Sequence, residues 1–84
     1  MNAAEIRQVV LDALLEIAPE TDVSQIDDDA DLRDQLDIDS MDQLNFVICI
    51  HEKTGVDVPE RDYPKMASVA GCVRYLSARL PRAG

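Results

Sequence analysis

Near the middle of the chain the sequence reads Leu36-Asp37-Ile38-Asp39-Ser40-Met41-Asp42. The Ser40 hydroxyl has no histidine or lysine beside it to activate it as a nucleophile. Taken alone, an Asp-Ser pair before an apolar-periodic run is a helix start. Ser40 with Gln43 has the spacing of a capping box, and Asp39 is an equally good cap. Two other groups could do chemistry. Cys49 and the single histidine, His51, are a thiol and a base, but residues two apart on a helix point to different sides and make a poor catalytic pair. Asp27, Asp29 and Asp31 alternate as in a calcium loop. The sixth position of such a loop is Leu32 rather than glycine and the twelfth is Ile38 rather than glutamate, which argues against a specific calcium site. Cys49 and Cys72 lack the spacing of zinc ligands and read as small apolar residues of a reducing compartment. No metal site is expected.

The elements that position these residues are helical. Asn2 and Glu5 form a capping box. Ile6, Val9, Val10, Ala13, Leu14 and Ile17 then recur at helical spacing, which predicts a helix over residues 3–18 that Pro19 stops. Residues 19–39 form a long Asp-rich connection, pinned by Ile26, Leu32, Leu36 and Ile38, with a turn of helix near residues 30–35. Asp39 or Ser40 opens a second helix that runs to Thr54 and stops at Gly55. Val56 and Val58 are extended, Pro59 starts a short helix that Pro64 limits, and Ser68 caps the last helix. That helix carries Val69, Cys72, Val73, Leu76 and Leu80 and ends at Pro81, with Gly71 in its interior costing up to ~1 kcal/mol against alanine. The fold class is all-α: one domain over residues 1–84, a small bundle of three main helices plus one short helix.

At 100° per residue the second helix is apolar on two sides. Gln43, Phe46, Val47, Ile50 and Thr54 make a core face. Met41, Leu44 and Ile48 lie on the other half beside Asn45 and Glu52, as a partner-facing ridge or the lining of a pocket. An enclosed cavity would be lined by Leu44, Val47 and Ile48 with parts of Ile38 and Val73.

Composition narrows the function classes. The 84 residues hold 17 acidic and 8 basic side chains, a net charge of −9, which repels nucleic acid and anionic membranes and favours partners with basic patches. With Phe46, Tyr63 and Tyr75 the only aromatics, the core is expected to be aliphatic. No run approaches the ~20 apolar residues of a membrane span, and the N-terminus lacks the pattern of a signal peptide, so a cytoplasmic or cytoplasm-like compartment is expected; a monomer is expected as well.

The stretch Leu36–Asp42, the helix order, the long loop before a near-central serine and the Val56-Asp57-Val58-Pro59-Glu60 segment together resemble the acyl carrier protein family over nearly the whole chain. The Asp-Ser pair resembles that family's attachment motif at the start of helix II. The resemblance implies that Ser40 carries 4′-phosphopantetheine, transferred from coenzyme A by a phosphopantetheinyl transferase, with Asp39 as motif residue and N-cap. The arm's thiol would hold acyl groups as thioesters for acyl-loading and acyl-processing enzymes with basic docking patches. The domain itself would catalyse nothing. A phosphodiester on Ser40 would sit where the helix dipole and free N–H groups favour anions.

The implied partner face is Met41, Asp42, Leu44, Asn45, Ile48, Glu52, Asp57 and Glu60. The sequence departs from the family pattern in several places. Asp37 stands where glycine is usual and Met41 where leucine is. Asn45 and His51 replace common glutamates, and Tyr63 enters a short helix expected to be more acidic. The thinner acidic face points to a specialised carrier with a dedicated partner set. The acidity leans toward an acyl rather than a peptidyl or aminoacyl carrier, and fatty acid biosynthesis is the family's familiar setting. The alternative is an unmodified helical interaction domain that uses the Met41–Leu44–Ile48 ridge.

Overall fold

The computed structural model describes residues 1–80. Four α-helices run in the order α1 (Ala3–Ile17), α2 (Leu32–Gln35), α3 (Ser40–Thr54) and α4 (Val69–Ser77). A 3-10 turn lies at Val23–Gln25 and a longer 3-10 helix at Glu60–Met66. No strand occurs among the described residues. The all-α expectation therefore holds, with α2 and the Val23–Gln25 turn as local structure within the long connection.

α1 begins with the expected capping box: Asn2 Oδ1 accepts the Glu5 N–H at 2.9 Å and Glu5 Oε1 accepts the Asn2 N–H at 3.2 Å. It packs against both α3 and α4, and α4 packs against the 3-10 helix. The core is built from Ile6, Val10, Leu11 and Leu14 of α1, Phe46, Val47 and Ile50 of α3, Val69, Cys72, Tyr75 and Leu76 of α4, with Leu32, Val56 and Met66 from the connections. Leu11 lies outside the predicted stripe, yet it is buried because α1 has neighbours on two sides. The aliphatic expectation is also corrected. Phe46 is among the largest fully buried side chains, and Tyr75 is buried because its hydroxyl finds a partner.

That partner is Asp62. Tyr75 Oη donates to Asp62 Oδ2 at 2.7 Å, Lys65 Nζ lies 3.5 Å and Arg79 Nη2 3.8 Å from the same carboxylate, and the Arg79 guanidinium stacks 3.5 Å from the Tyr75 ring centroid. The cluster fastens the 3-10 helix to α4. It also explains why Pro64 lies inside the 3-10 helix rather than limiting it as expected. Such a helix of i→i+3 bonds is held here by Asp62 and the buried Met66, so the missing proline N–H does not end it. α4 ends at Ser77, before the predicted Leu80. The chain then turns through Ala78, with Leu80 half-buried, and Pro81 lies outside the described residues.

The connection over residues 19–39 is ordered by its own polar side chains. Asp22 accepts from the Ser24 N–H, Asp27 from the Asp29 N–H and Asp31 from the Arg33 N–H, each a local cap or Asx turn. The Gln35 amide receives the Asp27 N–H at 2.9 Å and donates to the Asp27 carbonyl at 2.7 Å. Arg7 grips Asp28 through two bonds of 2.7 and 2.9 Å, and the main chain joins the loop to the α4 entrance through Leu32 N–H to Ala67 O and Ala70 N–H to Asp28 O. Of the four apolar pins, Leu32 is buried and Ile26, Leu36 and Ile38 are half-buried against the core. The alternating aspartates are therefore turn formers. Among the described residues, no three His, Cys, Asp or Glu side chains converge in a way that could hold a metal ion.

Gly71 marks a close approach. A Cβ there would stand 2.5 Å from the Lys65 carbonyl oxygen, a main-chain atom. Helix propensity alone predicts that Gly71→Ala stabilises α4. The contact reverses the sign: we expect a net loss of about 1–3 kcal/mol in urea denaturation. The Tyr75–Asp62 bond sets a pH dependence. The Tyr75 hydroxyl, ahead of Lys65, holds the Asp62 carboxyl below its ordinary 3.8. A carboxyl depressed on folding contributes stability above its unfolded pKa and loses it as pH falls through the lower folded value. Tyr75→Phe should therefore be less stable than the wild type at neutral pH, and thermal melts should show the gap closing below about pH 3.8.

Candidate functional site

Asp39, not Ser40, caps α3. Its backbone is extended (φ −105°), its Oδ1 accepts the Asp42 N–H at 2.9 Å, and Asp42 Oδ2 accepts the Asp39 N–H at 3.2 Å. This reciprocal box replaces the Ser40–Gln43 box that the sequence also allowed. An aspartate one residue earlier gives α3 the same three-residue return and places a carboxylate acceptor at the positive end of the dipole. Ser40 is thereby the first helical residue, exposed, and its hydroxyl has no hydrogen-bond partner among the described residues. Asp37, in a place where glycine is usual, carries no backbone strain, since no described residue other than glycine has a positive φ.

The core fixes the rotation of α3. Phe46, Val47 and Ile50 are buried, so the opposite side faces outward, where Met41 is 62%, Leu44 36% and Ile48 45% exposed. The ridge is therefore a surface feature rather than the lining of an enclosed cavity. Gln43 and Thr54, expected on the core face, are half-buried. The five residues named for an enclosed cavity do not share one space: Val47 belongs to the core, Ile38 and Val73 are half-buried against it, and Leu44 and Ile48 point away from it. What adjoins Ser40 is an open cleft of about 400 Å³ lined by Ser40, Met41, Gln43, Leu44, Glu60 and Tyr63.

The structure thus brings Ser40, Met41, Leu44 and Glu60 to one cleft, while Asn45 and Glu52 lie exposed along α3. Asp57 stands apart, past the far end of α3, where His51 Nδ1 lies 3.3 Å from Asp57 Oδ1 and 3.1 Å from the Val56 carbonyl. A carbonyl only accepts, so Nδ1 carries the proton and His51 works as a clip on the α3 terminus. This removes it from any pairing with Cys49, whose thiol is pushed up by burial and then by Glu16. Cys72 is fully buried, its thiol pushed up to about 12 by burial, and both cysteines are unpaired. Gln43 and Tyr63 are cleft residues that helical periodicity did not assign. Tyr63 belongs to the cleft because Pro59 and the Asp62–Tyr75 bond turn the 3-10 helix toward Ser40, which no local pattern encodes.

Residues 5–76 match the family model described as "Phosphopantetheine attachment site". The chain belongs to that family. It is 28% identical over 80 residues to polyketide-8 synthase acyl carrier protein 2 of Streptomyces avermitilis, covering 95% of this chain and 86% of the relative. It is 29% identical over 72 residues to an acyl carrier protein of Campylobacter hominis, covering 86% of this chain and 85% of the relative. An acyl carrier protein of Wolinella succinogenes matches at 28% over 72 residues, covering 86% and 88%. The chain is accordingly a carrier protein with a phosphopantetheine attachment site, acted on by a phosphopantetheinyl transferase and acyl-processing enzymes rather than an enzyme itself. Among the described residues of the carrier, no helix is long and apolar enough to cross a membrane.

The division of labour at the start of α3 is testable by stability. Asp39→Ala should cost the carrier about 1 kcal/mol through the lost cap, with faster amide exchange at Asp42. Ser40→Ala should change stability by about 0.5 kcal/mol or less, since the hydroxyl holds nothing. Urea melts of the two variants give the comparison.

Proposed function

We propose that Ser40 is the attachment residue and that residues 1–84 work as one acyl carrier domain whose arm presents thioester-bound acyl groups to partner enzymes. The observation that carries this reading is the exposed, unbonded Ser40 hydroxyl on the first residue of α3, freed because Asp39 and Asp42 cap each other. A transferase needs a reachable hydroxyl and supplies its own catalytic groups, so the absence of a base beside Ser40 is consistent with modification in trans. The Ser40 and Met41 N–H groups remain open at the positive end of α3, which favours the phosphodiester that modification creates.

The partner face in this reading is the exposed ridge of Met41, Leu44 and Ile48, flanked by Asp42, Asn45, Glu52 and Glu60, with Asp57 at the edge. Asp42 is partly committed to the capping box, and Asn45 and His51 carry no negative charge at neutral pH. The face therefore offers less to a basic docking patch than a row of glutamates would, which supports a dedicated partner set over the general enzymes of fatty acid biosynthesis. Relatives named for polyketide synthesis and plain acyl carrier proteins match at similar identity, so the cargo is proposed only as an acyl group, carried by a cytoplasmic monomer.

The test is intact mass after incubation with coenzyme A and a broad-specificity phosphopantetheinyl transferase. The wild type should gain one phosphopantetheine unit and Ser40→Ala none. A folded wild type that gains nothing, even with the host's own transferase, would overturn the carrier reading in favour of an interaction domain using the same ridge.

A further inference from the structure

Charge is distributed unevenly along the chain. Residues 1–60 hold three basic and sixteen acidic side chains, whereas residues 61–84 hold five basic and one acidic. The fold gathers the described cations of the second group onto one side. Arg61, Lys65, Arg74 and Arg79 are exposed, and the last three line a cleft of about 280 Å³ across the 3-10 helix and α4. Gly71 creates this proximity, because only a residue without Cβ lets the Lys65 carbonyl press against α4. Asp62, the one acid of residues 61–84, is buried, accepts the Tyr75 hydroxyl and lies 3.5 Å from Lys65 and 3.8 Å from Arg79, while Arg74 borders Asp28, an acid that Arg7 already pairs. Arg79 has local tasks, stacking on Tyr75 and donating to its carbonyl. The Arg74 guanidinium has no hydrogen bond or ion pair among the described residues, the residue's carbonyl accepting the Ala78 N–H, and Arg61 and Lys65 lie off α4, where the helix dipole does not call for them.

We propose that Arg61, Lys65, Arg74 and Arg79 form a second docking surface, which receives a carboxylate-bearing surface of the enzymes that load or process the arm. The carrier then meets such a partner through two faces of opposite sign, and the pair of faces fixes the orientation in which the arm is presented. The choice of an acidic protein follows from size and charge. The molecule measures only 36 × 27 × 20 Å. An extended polyanion such as nucleic acid or an anionic bilayer would come within a few Debye lengths, each about 8 Å, of the acidic remainder. A compact acidic patch meets the cations alone. A second copy carries its own net charge of −9 and is repelled at longer range.

The choice of partner class rests on the carrier reading, but the binding test does not use Ser40, and the mass measurement reads that reading separately. The ¹⁵N-labelled full chain, with and without the arm, is titrated with hexaglutamate at low salt. Saturable shifts are expected at amides of the 3-10 helix and α4. Affinity should fall about tenfold in Lys65→Glu/Arg74→Glu. Lys65→Gln/Arg74→Gln, a milder change, should weaken binding in the same direction with an unchanged circular dichroism spectrum. Shifts that are absent, or that survive both variants, overturn the proposal. So does a stronger response to oligothymidylate or to phosphatidylglycerol vesicles, or shifts that track protein concentration without peptide, which would make the patch a general polyanion site or a self-contact.

Discussion

α1 has to cover two helices at once. Its buried side chains, Ile6, Val10, Leu11 and Leu14, meet α3 on one side and α4 on the other, and this shared packing sets the rotation of both. With Phe46, Val47 and Ile50 held against α1, a helix with 100° between residues must turn Met41, Leu44 and Ile48 outward. A chain this small cannot bury a helix on all sides, because too little mass remains to cover it. The exposed ridge of α3 is thus a consequence of the core, and the proposed partner face would use an apolar surface that the fold leaves uncovered.

Under the proposed attachment at Ser40, the start of α3 keeps two roles apart on adjacent residues. A helix N-terminus needs an acceptor, and a modification site needs an accessible hydroxyl. Asp39 and Asp42 bond reciprocally, so the helix is satisfied before Ser40 is involved. Aspartate at Asp42 closes the box with a side chain shorter than the usual glutamate, and it leaves that carboxylate less available to a partner. The long connection before the motif follows the same economy. Its aspartates satisfy nearby N–H groups, and Arg7 with Asp28 ties the loop to α1. The motif therefore starts from a fixed platform rather than a free strand.

The opposite end of the domain depends on a different kind of contact. The Asp62–Tyr75–Arg79 cluster joins the 3-10 helix to α4 through a carboxylate, a phenol and a guanidinium, with Gly71 permitting the approach. This contact turns Tyr63 and Glu60 toward the Ser40 cleft on one side and gathers exposed cations on the other. In a chain of net charge −9, that leaves a local cluster of exposed cations that total charge conceals.

Local spacing and single-residue backbone preference were enough for the helix order, the Asn2 and Ser68 caps, the Gly55 stop at φ 74° and the placing of Phe46, Val47 and Ile50 in the core. The sequence also placed Ser40 at a helix start within a recognisable motif. Local spacing could not choose between Asp39 and Ser40 as cap, since both have partners at the right offset; the family resemblance put the cap on Asp39, and that is where it lies. Tertiary structure alone decided that the ridge is surface, that Pro64 lies inside a 3-10 helix, that Tyr75 is core and that Tyr63 borders the cleft. The physical reason is common to all four. Each depends on a neighbour distant in sequence, α1 for the ridge and the Asp62–Tyr75 bond for the rest, and periodicity within a helix carries no information about what that neighbour will be.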